Sequence, residues 1–495
     1  MKRDTFLKTL GFGTVSALAG GAILSSCMNH DMATMTPTVA PDVFEGNFTT
    51  SLPFPETSLT GTALNAGSQN ITTITGKNTQ AWGYKNGILG PTFRIQSGST
   101  VSIPFTNGLT EKTNIHWHGL LVPAAMDGHP DQMVMPGKTF NYSFKIDQRA
   151  GLSWYHPHPH EKTGKQVFMG LAGLFIIESA EEKALNLPTG AYELPLVIQD
   201  KRLNTSGEID YSPTMDEVMI GYMGETIIVN GVQSPFHNVA TRTYRLRVLN
   251  GSNGRIYNLA LSNGNAFTVI GSDGGLLPAP ETVTDLLLAP GERVDLLVDF
   301  SKSALNSEVY LLSNVFSGVN SQGRQAFKIV KFVVNKAETD SFKLPTSLPA
   351  IAPISSSATT KTRTFDIGVG MGTSGGHGGS MAMKGMHTIN GKVYSGERID
   401  ESVPLNSTEI WEFDNSAGDE PHPMHLHGTF FQVVSRTGGR SRLIASEKGL
   451  KDTVLVMPGE KVRIIIKFTN AGKFVFHCHN LEHEDDGMML NFEVK

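Results

Sequence analysis

Three times along the chain a Pro-Gly turn precedes a strand of alternating residues: Met135-Pro136-Gly137-Lys138 before FNYSFKI, Ala289-Pro290-Gly291-Glu292 before VDLLVDF, and Met457-Pro458-Gly459-Glu460 before VRIIIKF. A second marker keeps the same rhythm, because the strands VSIPFTN, YRLRVLN and EIWEFDN each close on an asparagine, at Asn107, Asn250 and Asn415. Short alternating strands between Gly, Pro and Asn turns build antiparallel β-sandwiches. A chain of 495 residues also exceeds what one hydrophobic core supports. The expected fold is all-β, with three sandwiches of one kind at 43–180, 181–345 and 346–495. The second boundary falls in the Pro/Ser/Thr-rich linker LPTSLPAIAPISSSATTKT.

The first 27 residues read as an export signal. Lys2, Arg3 and Lys8 flank the start of an uncharged, mostly apolar run from Leu10 to Leu24, too short to span a bilayer. The run ends in Leu24-Ser25-Ser26-Cys27, which resembles the lipobox of bacterial lipoproteins and implies a lipid anchor at Cys27. Arg3-Asp4-Thr5-Phe6-Leu7-Lys8 is similar to a twin-arginine signal, with Asp4 where the second arginine belongs, so the expected route is twin-arginine or general secretory. Residues 28–42, polar and Met-rich, are expected to be a tether. The expected location is the bacterial cell envelope, facing the periplasm. A net charge of −5 without basic blocks excludes nucleic acid as a partner on electrostatic grounds.

With Cys27 lipidated, Cys478 is the remaining thiol of the two in the chain, and no disulfide framework is available. An exported protein that keeps an unpaired thiol in an oxidising compartment needs a reason, and metal ligation supplies one. Around it runs FHCHNLEHEDDGMM, residues 476–489. In an extended strand His477 and His479 project to one face and Cys478 to the other, so one tripeptide can serve two metal centres. Cys478, His483 and Met488 supply the Cys, one His and the weak axial Met of a blue-copper electron-transfer site, which still needs a second His from elsewhere.

Of 16 histidines, ten fall in four clusters: His116 and His118 in HWHG, His156 and His158 in WYHPHPH, His422, His425 and His427 in HPMHLHG, and His477, His479 and His483. Two clusters lie in the first repeat and two in the third. Eight imidazoles converging between those repeats would build a multinuclear copper site, with the middle repeat as a structural spacer. The other histidines, His30, His129, His160, His237, His377 and His387, are expected to be non-ligands.

These four motifs, in this order, resemble those of the multicopper oxidases, the laccase and bacterial cuprous-oxidase family. The similarity extends through WGYKNGILGPTFRI, KTGKQVFMGLAGLFII and KDTVLVMPGE and covers most of residues 75–495. It implies three cupredoxin-like Greek-key domains and four copper ions, one type 1, one type 2 and a type 3 pair. The type 1 ion would take His422, Cys478, His483 and Met488. Type 2 would take His116 and His425, and type 3 His118, His156, His158, His427, His477 and His479. Asp127 and Glu484 occupy the positions of the family's proton-relay carboxylates.

The resemblance further implies one-electron oxidation of Cu(I) or phenolic compounds at type 1 copper, coupled to reduction of O₂ to water at a trinuclear cluster. A monomer is expected. The Gly-rich segment from Met371 to His387, with Met371, Met381, Met383 and Met386, sits where the cuprous-oxidase branch carries a Met-rich insertion. Thioethers favour Cu(I), but Asp419 and Glu420 do not match that branch's Asp and Met before the third motif. Two rivals are a copper-storage or electron-carrier cupredoxin, which leaves eight imidazoles unexplained, and a copper nitrite reductase, which lacks the second and fourth paired motifs. Oxygen uptake separates them.

Overall fold

The two repeat markers bind each other. In each copy the glycine of the Pro-Gly turn donates its N–H to the carbonyl of the strand-ending asparagine: Gly137 to Asn107 at 2.7 Å, Gly291 to Asn250 and Gly459 to Asn415 at 2.9 Å. The asparagine side chain reaches the other way, donating to the carbonyls of Val134 at 2.8 Å, Leu288 at 2.9 Å and Val456 at 3.5 Å. The three glycines have φ of 72°, 81° and 75°, a region that residues with a Cβ rarely enter. One lock therefore closes the same corner three times.

The computed structural model describes residues 42–44, 46–72, 74, 76–85, 87–370 and 385–495. The export segment with Cys27, the tether up to residue 41, and His30, Met371, His377, Met381 and Met383 lie outside the described residues. Among the described residues no helix is long and apolar enough to cross a membrane.

Among the described residues the strands form three pairs of sheets. Two four-stranded sheets run in the orders 57–58, 92–96, 173–178, 151–155 and 79–83, 64–71, 100–107, 139–145. Two seven-stranded sheets follow, built largely from residues 193–336, and two five-stranded sheets from residues 359–494. Alternation explains the layering: along Thr100–Asn107 every second residue is buried, and the inward set packs as Phe93, Phe105, Trp117, Tyr155 and Phe175. The middle pair encloses Leu246, Leu296, Ile329 and Phe332, and the last encloses Trp411, Phe413, Ile464 and Phe476. Burying each such side chain contributes about 1.5–3 kcal/mol.

A fourth cluster, with Trp154, Phe168, Leu174, Val197 and Ile228, welds the first pair of sheets to the middle pair. The described chain enters through the middle pair as well. Asp42–Phe44 runs parallel to Gln325–Lys336, with Asp42 opposite Gln325, and Thr50–Ser51 lies beside Pro235–Ala240. Asp42, expected at the end of the tether, is thus the first residue of a strand. Among the described residues four short α-helices interrupt the sheets: α1 (Thr163–Phe168), α2 (Ala180–Lys183), α3 (Met215–Ile220) and α4 (Leu481–Asp486).

Candidate metal centre

Strand parity sorts the donors into two groups. Gly472–Cys478 pairs antiparallel with His422–Leu426, placing His477 opposite His425 and Cys478 opposite Met424. Directly opposed residues share a face, so His425, His427, His477 and His479 project to one side. His422, Met424 and Cys478 project to the other. The spacing in HPMHLH does this, because His422 has the opposite parity to His425 and His427. In the first repeat the His116 and His156 backbones form an antiparallel bridge, while Trp117 points into the core.

The ring nitrogens are arranged for a cation. The Nδ1 atoms of His116, His156, His425 and His477 lie 2.8, 2.9, 2.9 and 3.0 Å from the carbonyls of Asp127, Pro157, Asp452 and Cys478. A carbonyl only accepts, so these nitrogens carry the hydrogen and each neutral ring keeps a bare Nε2. His427 is fixed alike by Asp127 Oδ2 at 2.7 Å. His118 is reversed, with Nε2 at 3.1 Å from Asp452 Oδ1, which leaves its Nδ1 bare.

The bare nitrogens face one another. His427 and His477 approach to 3.1 Å, His158 and His477 to 3.2 Å, and the pairs His116 with His425 and His118 with His156 to 3.4 Å. Lone pairs this close repel unless a positive ion lies between them. Among the described residues three all-histidine trios of mutually close donors result: His116, His425 and His427; His116, His118 and His156; His158, His427 and His477. His479 joins no trio, but its ring centroid is 5.0 Å from that of His118 and 5.3 Å from that of His156. Among the described residues neither of its ring nitrogens has a hydrogen-bond partner, a deficit of about 1–3 kcal/mol per group that a ligated ion would remove. Burial drives the imidazoles of His116, His118, His156, His158, His425, His427 and His479 towards the neutral form, His156 down to about 3. They are ready to ligate at neutral pH.

On the other face Cys478 Sγ lies 3.5 Å from His422 Nδ1 and 3.7 Å from His483 Nδ1, and the two nitrogens are 3.2 Å apart. His483 Nε2 donates to the Met219 carbonyl at 3.0 Å, so its Nδ1 is bare. Burial pushes the Cys478 thiol up, and a bound cation is what would displace its proton. Thiolate and imidazoles in this combination suit copper. His483 stands on α4, capped by Asn480 and ended by Gly487 at φ 119°. That left-handed turn returns the chain, so that Met488 N–H meets the His483 carbonyl at 2.9 Å and Cys478 N–H the Met488 carbonyl at 3.0 Å. Met488 is wholly buried in the same core cluster as Cys478.

Both predicted acids are buried against the histidines. Asp127 touches His427 through Oδ2, while its buried Oδ1 has no hydrogen-bond partner among the described residues. Burial raises the pKa of its carboxyl well above the usual range. Glu484 sits 3.4 Å from His158 Nδ1 and 3.2 Å from His477 Nδ1. Of the histidines set aside, His129, His160, His237 and His387 join none of the donor trios.

The sequence reading missed the groups behind the ligands. Asp452 meets His118 and, bidentately, Arg293, at 2.7 and 2.6 Å. Thr453 links it to His425, whose ring stacks on His118 at 3.7 Å. Burial alone would raise the Asp452 carboxyl, yet Arg293 and His118 hold it well below the usual range. Arg293 belongs to the middle sandwich, and so do Asp273 and Glu292, which bind Lys451 at 2.9 Å. The middle repeat is therefore more than a spacer, because its charges anchor the segment that orients His118 and His425. The signal lay in KDTVLV, where three polar residues head an apolar run. Asp452→Asn is expected to lower copper retention or oxygen reduction about 10- to 100-fold. Metal analysis and oxygen uptake check this, and full copper with unchanged turnover would reduce Asp452 to an interdomain tie.

Family models described as multicopper oxidase match residues 65–182, 192–334 and 373–495. The chain belongs to the multicopper oxidase family. A multicopper oxidase mco from Staphylococcus haemolyticus is 36% identical over 418 residues, covering 83% of each chain. The laccase of Bacillus subtilis is 32% identical over 475 residues, 84% of this chain and 90% of that one. In structure, the McoA multicopper oxidase from Aquifex aeolicus aligns with a TM-score of 0.81 at 35% identity, over 90% of this chain and 99% of that one. The protein is a multicopper oxidase of cupredoxin-like fold, with copper as cofactor, and it couples substrate oxidation to reduction of O₂.

Proposed function

We propose that this multicopper oxidase holds four coppers in three cupredoxin domains, 43–180, 181–345 and 346–495, and takes electrons from Cu(I) in preference to bulky phenols. His422, Cys478 and His483, with Met488 as the weak axial donor, would hold type 1 copper. His116 and His425 would hold type 2. His118, His156, His158, His427, His477 and His479 would hold the type 3 pair. Bound there, copper supplies one-electron acceptance from the reductant and four-electron reduction of O₂ to two waters.

The chain's own residues supply the rest. Cys478 sits between His477 and His479, so the backbone joins the two donor groups covalently. Every imidazole of the set is at most 3% exposed, which excludes bulk water. Asp127 Oδ1, buried beside His427, is an atom on which a proton can ride, and Glu484 holds the corresponding place between His158 and His477.

One observation carries the substrate preference. The type 1 ligand His483 is wholly buried, with its Nε2 edge covered by α3 through the Met219 carbonyl, so it offers no open imidazole edge to a large reductant. Oxygen uptake with Cu(I), a simple phenol and a bulky dye as donors tests this. Cu(I) should be oxidised most efficiently and the dye least, and a dye oxidised as well as Cu(I) would make the protein a general laccase.

In support of envelope placement stand the basic, apolar and Leu24-Ser25-Ser26-Cys27 succession, and a monomer anchored through Cys27 is the simplest assembly. A further expectation concerns the axial position. Met488→Leu should keep copper, raise the type 1 potential by removing electron density, and loosen the site. Potentiometric titration checks it, and an unchanged potential would leave Met488 as core packing alone.

A further inference from the structure

His387 was set aside as a non-ligand, and its chemistry is absorbed neither by the copper donors nor by the sandwich cores. It is fully buried, and its ring lies flat on that of His483, with centroids 3.9 Å apart and planes inclined by 15°. It is held there firmly. His387 Nδ1 is 2.9 Å from Asp486 Oδ2, and the backbone N–H groups of Gly385, Met386 and His387 also donate to the Asp486 carboxylate at 2.9 Å. Asp486 closes α4, the helix that carries His483. His387 opens the strand His387–Ile389, which pairs with Thr359–Val369. One carboxylate therefore ties the face of the His483 ring to the helix bearing that ring.

The opposite constraint on His483 is the Met219 carbonyl at its Nε2. An imidazole gripped at one edge can still tilt about that bond, and a second ring stacked on its face removes the tilt. Such stacked pairs contribute beyond simple burial. A carboxylate-oriented imidazole behind a ligand is also how metal sites fix donor direction.

We propose that His387, oriented by Asp486 and stacked on His483, is a positioning residue that holds the His483 Nδ1 lone pair in line with Cys478 and His422 and so sets the reduction potential of that site. The proposal rests on reading Cys478, His422 and His483 as the type 1 centre. His387→Ala removes both the stack and the side-chain bond to Asp486, whereas His387→Phe keeps a ring but has no ring nitrogen to offer Asp486; the backbone N–H bond stays in both. In copper-loaded full-length protein, His387→Ala should shift the type 1 potential and its paramagnetic hyperfine splitting, and should lose that copper to a chelator roughly two- to tenfold more readily, in line with the energy of such a stack. His387→Phe should shift the same quantities in the same direction by less.

A purely structural role would lower thermal stability and leave spectrum and potential alone, and that result would overturn the proposal. If His387→Ala does not fold, an unchanged potential and splitting in His387→Phe overturns it equally. A protein whose visible thiolate band survives Cys478→Ser would instead bring down the type 1 assignment on which the proposal stands. A normal band with unmoved His387 variants sinks only the role of His387.

Discussion

Cys478→Ser is expected to abolish the blue charge-transfer absorption and oxygen uptake, while copper proposed for the eight imidazoles should remain. Serine is nearly isosteric, so the strand Gly472–Cys478 keeps its register against His422–Leu426 and the donors of the other face stay where they are. What would disappear is the soft thiolate proposed to select copper and give the colour. With it would go the proposed ligand that is covalently flanked by His477 and His479. Visible spectroscopy, metal analysis and oxygen consumption on one preparation check the result, and a variant that stays blue would end the assignment.

Asp127→Asn is expected to slow oxygen reduction by about 10²-fold or more, the scale on which a positioned acid or base contributes. The amide oxygen can still accept from His427 Nδ1, and the Asp127 carbonyl that orients His116 is untouched, so ring geometry survives. The change removes a carboxyl whose pKa burial raises well above the usual range, and with it an oxygen on which a proton can be held. Rapid mixing separates the half-reactions. Substrate should bleach the type 1 band at the normal rate, while reoxidation by O₂ lags. Equal slowing of both would point to a loading or folding defect, and Glu484→Gln is the parallel test.

Local rules carried the sequence far. Alternation along a strand assigns His477 and His479 to one face and Cys478 to the other, and the same rule splits His422 from His425 and His427. The asparagine and Pro-Gly markers were visible as repeats, but nothing in the order of residues says that they dock on each other. Contacts across sandwiches were hidden for the same reason. Met219 meets His483, Arg293 meets Asp452 and His387 stacks on His483 through pairings distant in sequence, and none has a local period to betray it. The middle repeat, empty of ligands, therefore read as a spacer, although its buried charges brace the ligands of its neighbours.

The eight imidazoles come equally from residues 116–158 and residues 425–479, and each close pair with one nitrogen from either half spans the contact between the two terminal sandwiches: His116 with His425 at 3.4 Å, His158 with His477 at 3.2 Å. Metal bound at these donors would thus be a cross-link as well as a reagent. By mass action each tenfold rise in free copper above saturation would add about 1.4 kcal/mol per bound ion to the folded assembly. Cohesion of the molecule should then follow the copper supply, and a starved enzyme is expected to loosen along the seam proposed to consume oxygen.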